Sequence, residues 1–244
     1  ILGSTGSVGR QALEVIRSFE KKFRIVGLIA RTNHYDLLNQ VHEFNPPFAA
    51  LTNESAANIG TAAWITPNDL VKKQEVDIVI VAIPGLEALL PTLTAISHGK
   101  TIALASKEIL VVAGQIITEE TIRSDASILP LDSEHSAIWQ CLAGEEESDI
   151  RRLILTASGG PFRQSQSSDL LAVKPEQALA RPTWRMGPKV TIDSATLMNK
   201  GFEVIEAKWL FDIDSKNIDI LVHPQSIVHS MVEFKDTSIK AQLG

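Results

Sequence analysis

The hydrophobic positions in the first half of the chain follow two spacings in turn. Short runs of consecutive apolar residues, such as 78–83 and 101–105, are typical of strands that a parallel sheet buries on both faces. Between them, apolar residues recur every three or four positions, as at 8–19 and 37–44, which is the period of an amphipathic helix. This alternation predicts an α/β fold with a Rossmann-like, doubly wound parallel sheet over residues 1–131.

The predicted elements can be given as ranges. Strands are expected at 23–30, 48–51, 78–83, 101–105 and 127–131, and helices at 8–19, 37–44, 89–96 and 116–123. From residue 132 onward the pattern changes, because strand-like pieces are mixed with loops rich in Ser, Gly and Pro. We therefore expect a second, α+β domain over residues 132–244, which stops in or just after a strand-like segment and is interpreted as truncated at its C-terminus.

Composition and charge narrow the class of protein. The 244 residues carry a formal net charge of −6, so a basic nucleic-acid-binding face is not expected. No apolar run approaches the roughly 20 residues that a membrane helix needs. The single cysteine, Cys141, cannot form an internal disulfide bond. These features indicate a cytoplasmic protein with neither nucleic-acid nor membrane partners.

A glycine-rich turn opens the chain, with glycines at Gly3, Gly6 and Gly9. In such turns one glycine permits a tight bend, one lets the backbone approach a pyrophosphate and one lets the helix pack on the strand. Thr5 and Ser7 add hydroxyl donors. Ile1 and Leu2 are interpreted as the end of a strand that leads into this turn, and a helix is predicted at 8–19. Because strand, turn and helix follow in this order, the segment is interpreted as a dinucleotide-binding loop.

The end of the predicted strand at 23–30 distinguishes between two nicotinamide cofactors. NAD-binding proteins tend to place an acidic residue there, which holds the ribose hydroxyls. This chain has Arg31, Thr32 and Asn33 instead, and a cation with two hydrogen-bonding neighbours suits a 2′-phosphate. NADPH is therefore favoured over NADH, and a surface arginine that merely closes a strand is the alternative.

Three carboxylates are candidate metal ligands. Asp132 and Glu134 follow a buried strand, and residues two apart in an extended chain point the same way. Glu203 adds a third carboxylate from a later segment. Oxygen ligands without sulfur favour Mg²⁺ or Mn²⁺. A loop with helix-capping acids is the alternative interpretation.

Two further segments could bind a phosphate. Ser158 and the backbone amides of the two glycines after it follow a predicted strand and could surround an anion. Ser194, Asn199 and Lys200 offer the hydroxyl, amide and ammonium donors that suit a phosphate monoester. An ordinary capped helix with a surface lysine explains the second segment equally well.

The motifs GSTGSVG, LDSEH, SGGPF, DSATLMNKGFE and HPQSIVHS occur in this order. Together they resemble the 1-deoxy-D-xylulose 5-phosphate reductoisomerase family along essentially the whole chain. The resemblance implies NADPH- and metal-dependent conversion of 1-deoxy-D-xylulose 5-phosphate to 2-C-methyl-D-erythritol 4-phosphate in non-mevalonate isoprenoid biosynthesis. It also implies Mg²⁺, Mn²⁺ or Co²⁺ as the metal and a homodimer as the assembly.

The resemblance assigns roles to residues at matching positions. Together with the glycine spacing, it predicts cofactor contacts from Gly3, Thr5, Gly6, Ser7, Val8, Arg31, Thr32, Asn33, Ser106, Glu108 and Gly187. It implies a metal bound by Asp132, Glu134 and Glu203, and catalytic roles for Lys107, Glu134 and His229. Predicted substrate contacts are Lys107, Ser133, Glu134, Ser158, Arg181, Trp184, Met186, Ser194, Asn199, Lys200 and Glu203, with Trp184 and Met186 on a flexible flap.

The chain departs from the family pattern at two of the predicted site residues. Arg181 stands where the flap usually has histidine, and Ser106 where asparagine is usual.

Two rival functions are also considered. Members of the family are expected to continue beyond Gly244 into a helical domain, so one rival is an NADP-binding fragment without turnover. A less favoured rival is a semialdehyde-type dehydrogenase, whose nucleophile would have to be Cys141, predicted to be a buried, inert thiol.

Overall fold

The computed structural model describes residues 1–53, 58–166, 168–180 and 187–244. Contacts between residues divide the chain into two compact units, Ile1–Leu131 and Asp132–Gly244. Among the described helices, none has both the length and the apolar character needed to cross a bilayer.

The first unit alternates strands with helices. Its strands are β1 (Gly27–Ala30), β2 (Phe48–Leu51), β3 (Ala63–Trp64), β4 (Ile78–Val81), β5 (Thr101–Leu104) and β6 (Ser127–Pro130). Its helices are α1 (Ser7–Ser18), α2 (His34–Phe44), α3 (Pro67–Val71), α4 (Leu89–Ser97) and α5 (Glu108–Ser124). The strands pair in parallel in the orders β3-β2-β1 and β4-β5-β6.

Leu2 joins these two groups of strands into one sheet. It forms parallel bridges with Ile29 of β1 on one side and Val81 of β4 on the other. Its backbone N–H donates to the carbonyl oxygen of Ile80 at 2.8 Å, and its own carbonyl accepts from Ala82 at 2.8 Å. The result is a parallel sheet with the start of the chain at its centre, which confirms the α/β, Rossmann-like prediction.

Two predicted boundaries in this unit were wrong by four residues or more. The predicted strand at 23–30 is shorter, because Phe23 is 43% exposed and regular pairing begins only at Gly27. The helix predicted at 116–123 begins earlier, at Glu108, and has non-helical dihedral angles at Ala113. The consecutive apolar residues 109–112 carry no helical period, which explains why the pattern did not reveal the first turns.

The apolar faces of α1 and α2 pack on the sheet of the first unit. Leu13 of α1 and Leu37 and Val41 of α2 are buried against Leu28 and Leu51 of the strands. Leu37 and Val41 lie four residues apart and therefore share one face of their helix. Burial of each leucine contributes about 2 kcal/mol, and this packing fixes the helix that follows the glycine loop.

The second unit is built on a mixed sheet. Its strands are β7 (Ile150–Ala157), β8 (Ile218–Val222), β9 (Val228–Phe234) and β10 (Ile239–Leu243), in the order β10-β9-β7-β8. Its helices are α6 (Ser133–Cys141), α7 (Pro175–Leu179), α8 (Pro188–Ala195) and α9 (Met198–Leu210). Strands β7 and β8 are parallel, whereas β9 pairs antiparallel with both β7 and β10, as expected for an α+β unit.

Helices α6 and α9 share one hydrophobic cluster with the sheet of the second unit. Ile138 of α6 and Ala207 of α9 are buried in this cluster with Leu155 of β7 and Val232 of β9. Phe211, directly after α9, completes the cluster. This packing holds the first turns of both helices near the carboxyl end of β7, where the polar residues of the unit converge.

Candidate active site

The glycine loop lies between the central residue Leu2 and helix α1. Gly9 is buried, and a Cβ atom there would lie 2.7 Å from the Cα atom of Ser4 and closer still to the carbonyl oxygen of Gly3. Only glycine therefore allows α1 to approach the turn this closely. Gly3 donates its backbone N–H to the carbonyl oxygen of Ile29 at 2.8 Å, which fixes the loop on β1.

Helix α1 begins at Ser7 and has no side-chain cap, because its N-cap residue is Gly6. The first N–H groups of a helix have no intrahelical acceptor and attract anions. Thr5 and Val8 are half-buried, whereas Gly6 and Ser7 are exposed. The loop thus presents backbone donors and hydroxyl groups at a solvent-accessible helix start, as a pyrophosphate would require.

The residues predicted to bind the adenosine end follow β1. Arg31 is exposed and lies 4.0 Å from the carboxylate of Glu87. Thr32 is also exposed. Asn33 is the N-cap of α2, where its side chain accepts from the backbone N–H of Asp36 at 3.1 Å. Arg31 and Thr32 therefore remain accessible to a ligand, while Asn33 has a structural role in the helix start.

Ser106, Lys107 and Glu108 lie at the turn between β5 and α5. The Ser106 hydroxyl is buried and donates to the carbonyl oxygen of Ile83 at 2.6 Å. Lys107 is buried and Glu108 lies half-buried in the first turn of α5. Ser106 thus secures the carboxyl end of β4, and these residues occupy the end of the sheet where α/β proteins bind ligands.

Three carboxylates of the second unit converge as predicted candidates for metal ligands. Oxygen atoms of Asp132, Glu134 and Glu203 lie within 4.8 Å of one another. Glu203 is only 1% exposed. A set of three carboxylates, buried on one side, suits a hard divalent cation such as Mg²⁺ or Mn²⁺, so these residues fit the predicted metal.

The local structure that brings Asp132 and Glu134 together is not the predicted one. An extended chain was expected, but Asp132 is the N-cap of α6 and Glu134 lies in the first turn of that helix. The Asp132 side chain makes no capping hydrogen bond. The start of the helix, and not the alternation of a strand, therefore directs both carboxylates toward Glu203 of α9.

Lys200 lies among these carboxylates. Its Nζ atom donates to Oε1 of Glu134 at 2.9 Å and to Oε2 of Glu203. It also donates to the backbone carbonyl oxygen of Thr156, near the end of β7. Burial alone would lower the pKa of Lys200, but the charges of Glu203 and Glu134 and their hydrogen bonds outweigh it, and the pKa is raised above its ordinary value.

Two neutral donors hold the other oxygen of each glutamate. The Ser133 hydroxyl donates to Oε2 of Glu134 at 2.7 Å. The Asn199 amide donates to Oε1 of Glu203. Both carboxylates are therefore oriented by hydrogen bonds from the same helices, from the preceding residue for Glu134 and from one turn earlier for Glu203, which reduces the reorganisation needed to bind a ligand.

The residues predicted to bind phosphate lie on two neighbouring segments. Ser158 directly follows β7 and is half-buried. Gly160 has φ +69°, and a Cβ atom on it would lie 2.7 Å from the carbonyl oxygen of Ser194, so the loop after β7 packs closely on the end of α8. Ser194 is buried in the last turn of α8. The structure thus brings Ser158 and Ser194 onto adjacent segments.

His229 lies near the start of β9 and is half-buried. Its backbone is fixed by Thr156, whose hydroxyl donates to the carbonyl oxygens of Val228 at 2.9 Å and of His229 at 2.7 Å. The carbonyl oxygen of Thr156 accepts from Lys200. Thr156 therefore connects the strand that carries His229 to the lysine of the carboxylate cluster.

Sequence reasoning missed the residues beneath this cluster, His135 and Glu206. Both are 0% exposed, and Nδ1 of His135 lies 3.5 Å from Oε2 of Glu206. Nε2 of His135 lies 2.8 Å from the backbone carbonyl oxygen of Glu203, and the ring stacks on Phe211. The only signal for Glu206 was its position three residues after Glu203, which places both on one face of α9.

The remaining predicted residues lie on or next to the flap. Arg181, Trp184 and Met186 lie outside the described residues. Gly187 is the exposed N-cap of α8. Its carbonyl oxygen accepts from the Thr191 hydroxyl at 3.0 Å, which fixes the first turn of that helix.

Cys141 lies in the hydrophobic cluster of the second unit, as expected for an inert thiol. It is buried and reduced at the end of α6. Desolvation raises the pKa of its thiol, which opposes formation of a nucleophilic thiolate. This environment argues against the cysteine-dependent dehydrogenase.

Comparison with known proteins gives consistent matches along the chain. Residues 1–114 match the family model of 1-deoxy-D-xylulose 5-phosphate reductoisomerase, and residues 128–211 match that of its C-terminal domain. Reductoisomerases of Thermoanaerobacter sp. (strain X514), Prosthecochloris aestuarii and Clostridium acetobutylicum are 53%, 49% and 46% identical over the whole of this chain. The chain spans 66%, 67% and 67% of their respective lengths, or about two thirds.

Solved structures of the same family have the same fold. A DOX-P reductoisomerase in complex with NADPH, fosmidomycin and magnesium matches with a TM-score of 0.93 and 37% identity, over all of this chain and 65% of that one. The Zymomonas mobilis enzyme in complex with NADPH matches with a TM-score of 0.90 and 40% identity, again over all of this chain and 65% of that one. The chain therefore belongs to the 1-deoxy-D-xylulose 5-phosphate reductoisomerase family.

Proposed function

We propose that the protein catalyses the NADPH- and divalent-metal-dependent isomerisation and reduction of 1-deoxy-D-xylulose 5-phosphate to 2-C-methyl-D-erythritol 4-phosphate. This reaction is a step of non-mevalonate isoprenoid biosynthesis. The observation that carries the proposal is the convergence of Asp132, Glu134 and Glu203 in a chain of this family, with Lys200 donating to both glutamates. The complexes of similar proteins with NADPH and magnesium support the same cofactors here.

The first unit, Ile1–Leu131, is proposed to bind NADPH. The uncapped start of α1 and the close turn at Gly9 support a pyrophosphate contact. Arg31 and Thr32 are exposed after β1 and would meet the 2′-phosphate. The roles of Ser106, Glu108 and Gly187 toward the cofactor remain predictions from the family resemblance.

The second unit, Asp132–Gly244, is proposed to bind metal and substrate. Asp132, Glu134 and Glu203 would hold Mg²⁺, Mn²⁺ or Co²⁺. When bound, the metal supplies Lewis-acid polarisation of the substrate oxygens and NADPH supplies the hydride. Ser133 and Asn199 hold two of the carboxylates in position, so that little motion is needed when ligands bind.

The phosphate of the substrate is assigned to Ser158, Ser194, Asn199 and Lys200. The packing of the loop after β7 on the last turn of α8 supports contacts from both segments to one phosphate. A phosphate anchor provides binding energy at a distance from the reacting carbon atoms. Contacts of Lys107, His229 and the flap residues Arg181, Trp184 and Met186 with the substrate remain predictions.

We further propose a cytoplasmic homodimer. A single buried, reduced cysteine suits a reducing compartment. The outer strand β8 of the second unit exposes Ile220, Leu221 and Val222 by nearly half of each side chain, which supports a self-association surface.

The test is NADPH oxidation by the wild-type chain with 1-deoxy-D-xylulose 5-phosphate, measured with and without Mn²⁺. The Asp132→Asn variant removes one carboxylate charge from the cluster, and Asp236→Asn removes one from an exposed turn as the matched control. We expect metal-dependent oxidation in the wild type and in the control, and a loss of about 100-fold or more in Asp132→Asn.

Binding of NADPH, followed by its fluorescence, separates the alternatives. Tight NADPH binding without any metal-dependent oxidation would contradict the proposed reaction and favour the NADP-binding chain without turnover. Equal activities of the two variants would contradict the assignment of Asp132 to the metal.

A further inference from the structure

Lys200 provides an internal cation for the buried Glu203 and the half-buried Glu134. Its Nζ atom contacts Glu134 and Glu203, and the lysine and Glu203 side chains are 5% and 1% exposed. An unpaired carboxylate at such burial would be costly, so the ammonium stabilises both glutamates.

The oxygens that Lys200 contacts are specific ones. Ser133 holds Oε2 of Glu134, and Lys200 holds Oε1. Asn199 holds Oε1 of Glu203, and Lys200 holds Oε2. Neutral donors therefore hold one oxygen of each carboxylate, and the ammonium holds the other one.

A divalent cation bound by these acids would draw on the same two oxygens. Ser133 and Asn199 donate to the other oxygen of each glutamate, and the carboxylates of the cluster lie within 4.8 Å of one another. Two cations within a few ångströms repel strongly in a site that water screens poorly. Full occupation by both the ammonium and the metal is therefore unfavourable.

We propose that Lys200 and the divalent cation compete for Glu134 and Glu203, and that Lys200 leaves these carboxylates when the cation binds. The released ammonium then becomes available to the phosphate of the substrate, a part of the inference that rests on the proposed function. Lys200 thus couples metal binding to phosphate binding.

The contact with Thr156 places the ammonium of Lys200 close to the loop that contains Ser158. Thr156 is the second-last residue of β7, and the loop with Ser158 follows directly. The Lys200 side chain has a flexible four-carbon stem, which can redirect the ammonium without movement of α9. The loop with Ser158, which is proposed to bind the phosphate, therefore begins next to the carbonyl oxygen that already accepts from Lys200.

Competition of this kind lowers the apparent affinity for the metal. Where Lys200 contacts the carboxylates, its ammonium must leave before the cation can bind. The apparent affinity for the metal is therefore reduced in proportion to the fraction of molecules in which the ammonium has left. By linkage, phosphate that binds the released lysine favours the metal by the same factor.

The first test measures Mn²⁺ binding by titration calorimetry, without substrate or NADPH. Lys200→Met removes the competing ammonium but keeps an unbranched side chain. Lys208→Met is the matched control, because Lys208 is an exposed residue of the same helix that lies over the ring of Trp209. We expect Mn²⁺ to bind Lys200→Met about tenfold more tightly than wild type, and Lys208→Met to bind unchanged.

Equal or weaker binding of Mn²⁺ by a folded Lys200→Met variant would overturn the competition. Circular dichroism establishes whether the variant is folded. If it is not, the second test decides, because it uses only the wild-type chain.

The second test measures acetylation of individual lysines by acetic anhydride, read by mass spectrometry with and without Mn²⁺. Release from the carboxylates should speed the acetylation of Lys200 about fivefold or more, while Lys208 serves as the internal reference. An unchanged or slower rate at Lys200 would overturn the release step.

Both tests are independent of turnover. If Mn²⁺ binding and lysine release behave as expected but NADPH oxidation is absent, the proposed reaction fails and the competition stands. If NADPH is oxidised but Mn²⁺ does not release Lys200, the competition fails and the proposed reaction stands.

Discussion

The Nε2 atom of His135 lies 2.8 Å from the backbone carbonyl oxygen of Glu203. A carbonyl oxygen only accepts, so this nitrogen carries the hydrogen and donates it. The ring is fully buried and stacks on Phe211. His135 of α6 therefore fixes the backbone of the turn of α9 that carries one of the candidate metal ligands.

Replacement of this histidine should destabilise the second unit. His135→Ala removes the hydrogen bond to Glu203, leaves a cavity beside Phe211 and takes away a neighbour of the buried Glu206 carboxylate. We expect the free energy of unfolding to fall by about 3 kcal/mol. Urea unfolding followed by tryptophan fluorescence measures it.

A second histidine provides the control for that prediction. His98 is exposed at the end of α4, and His98→Ala should change the free energy of unfolding by less than about 0.5 kcal/mol. Equal effects of the two substitutions would contradict the role of His135 as a buried contact.

The free energy of unfolding should depend more on the hydroxyl group of Thr156 than on its methyl group. Thr156→Val keeps the shape of the side chain and leaves the carbonyl oxygens of Val228 and His229 without this donor. Thr156→Ser keeps the donor. We expect the valine variant to lose about 1–3 kcal/mol of unfolding free energy and the serine variant to lose less, measured by urea unfolding. Equal losses would show that packing, and not the hydroxyl, fixes the strand.

The sequence allowed part of this site to be predicted. Asp132 and Glu134 were found as candidate ligands because they closely follow a predicted strand, and Glu203 because it lies in a motif that resembles the family. The strand at 48–51 was predicted with its observed bounds, because turn-forming and polar residues flank it.

The supporting residues could not be predicted, for a physical reason. The contact of His135 with Glu203 joins residues 68 positions apart, and that of Thr156 with His229 joins residues 73 apart. Such contacts depend on how helices and strands pack, which a local pattern does not record. The same limit applies to Lys200, whose sequence neighbours do not reveal that its ammonium lies between Glu134 and Glu203.

Cys141 should react slowly with alkylating reagents. Desolvation raises the pKa of its thiol, so the thiolate fraction at neutral pH is smaller than for a free cysteine. We expect iodoacetamide to alkylate it about tenfold or more slowly in the folded chain than in urea, as measured by mass spectrometry. Rapid alkylation of the folded chain with loss of NADPH oxidation would support a cysteine-dependent dehydrogenase.

The ion pair between α1 and α2 should make the stability of the first unit depend on acid pH. Arg17 donates to Glu43 through Nε at 2.5 Å and Nη2 at 3.0 Å, and these hydrogen bonds lower the pKa of Glu43 below its ordinary value of 4.5. A lowered pKa in the folded state means that the contribution is complete above the ordinary value and is lost as pH falls through the folded value.

Both side chains of this pair are nearly half exposed, so solvent screens the pair and its contribution to the free energy of unfolding is small. Urea midpoints between about pH 6 and pH 3 should fall less steeply for Glu43→Gln than for wild type. Glu20→Gln, at an exposed position just beyond α1, should follow the wild-type curve. Identical slopes for all three proteins would rule out the pair as a source of the acid sensitivity.

Two glycines should respond in opposite ways to alanine. A Cβ atom on Gly9 would lie 2.7 Å from the Cα atom of Ser4, so Gly9→Ala must push α1 away from the turn and displace the proposed pyrophosphate donors. Gly201 lies inside α9, and a Cβ atom there would meet nothing within 4 Å.

We expect Gly9→Ala to weaken NADPH binding about tenfold or more and to destabilise the chain by about 2 kcal/mol. Gly201→Ala should stabilise it by up to about 1 kcal/mol, because alanine has the higher helix propensity, and should leave NADPH binding unchanged. NADPH fluorescence titration and urea unfolding of both variants measure these effects. The added Cβ atom must move α1 away from the glycine turn. Normal NADPH binding by Gly9→Ala would therefore contradict the assignment of the glycine loop to the cofactor.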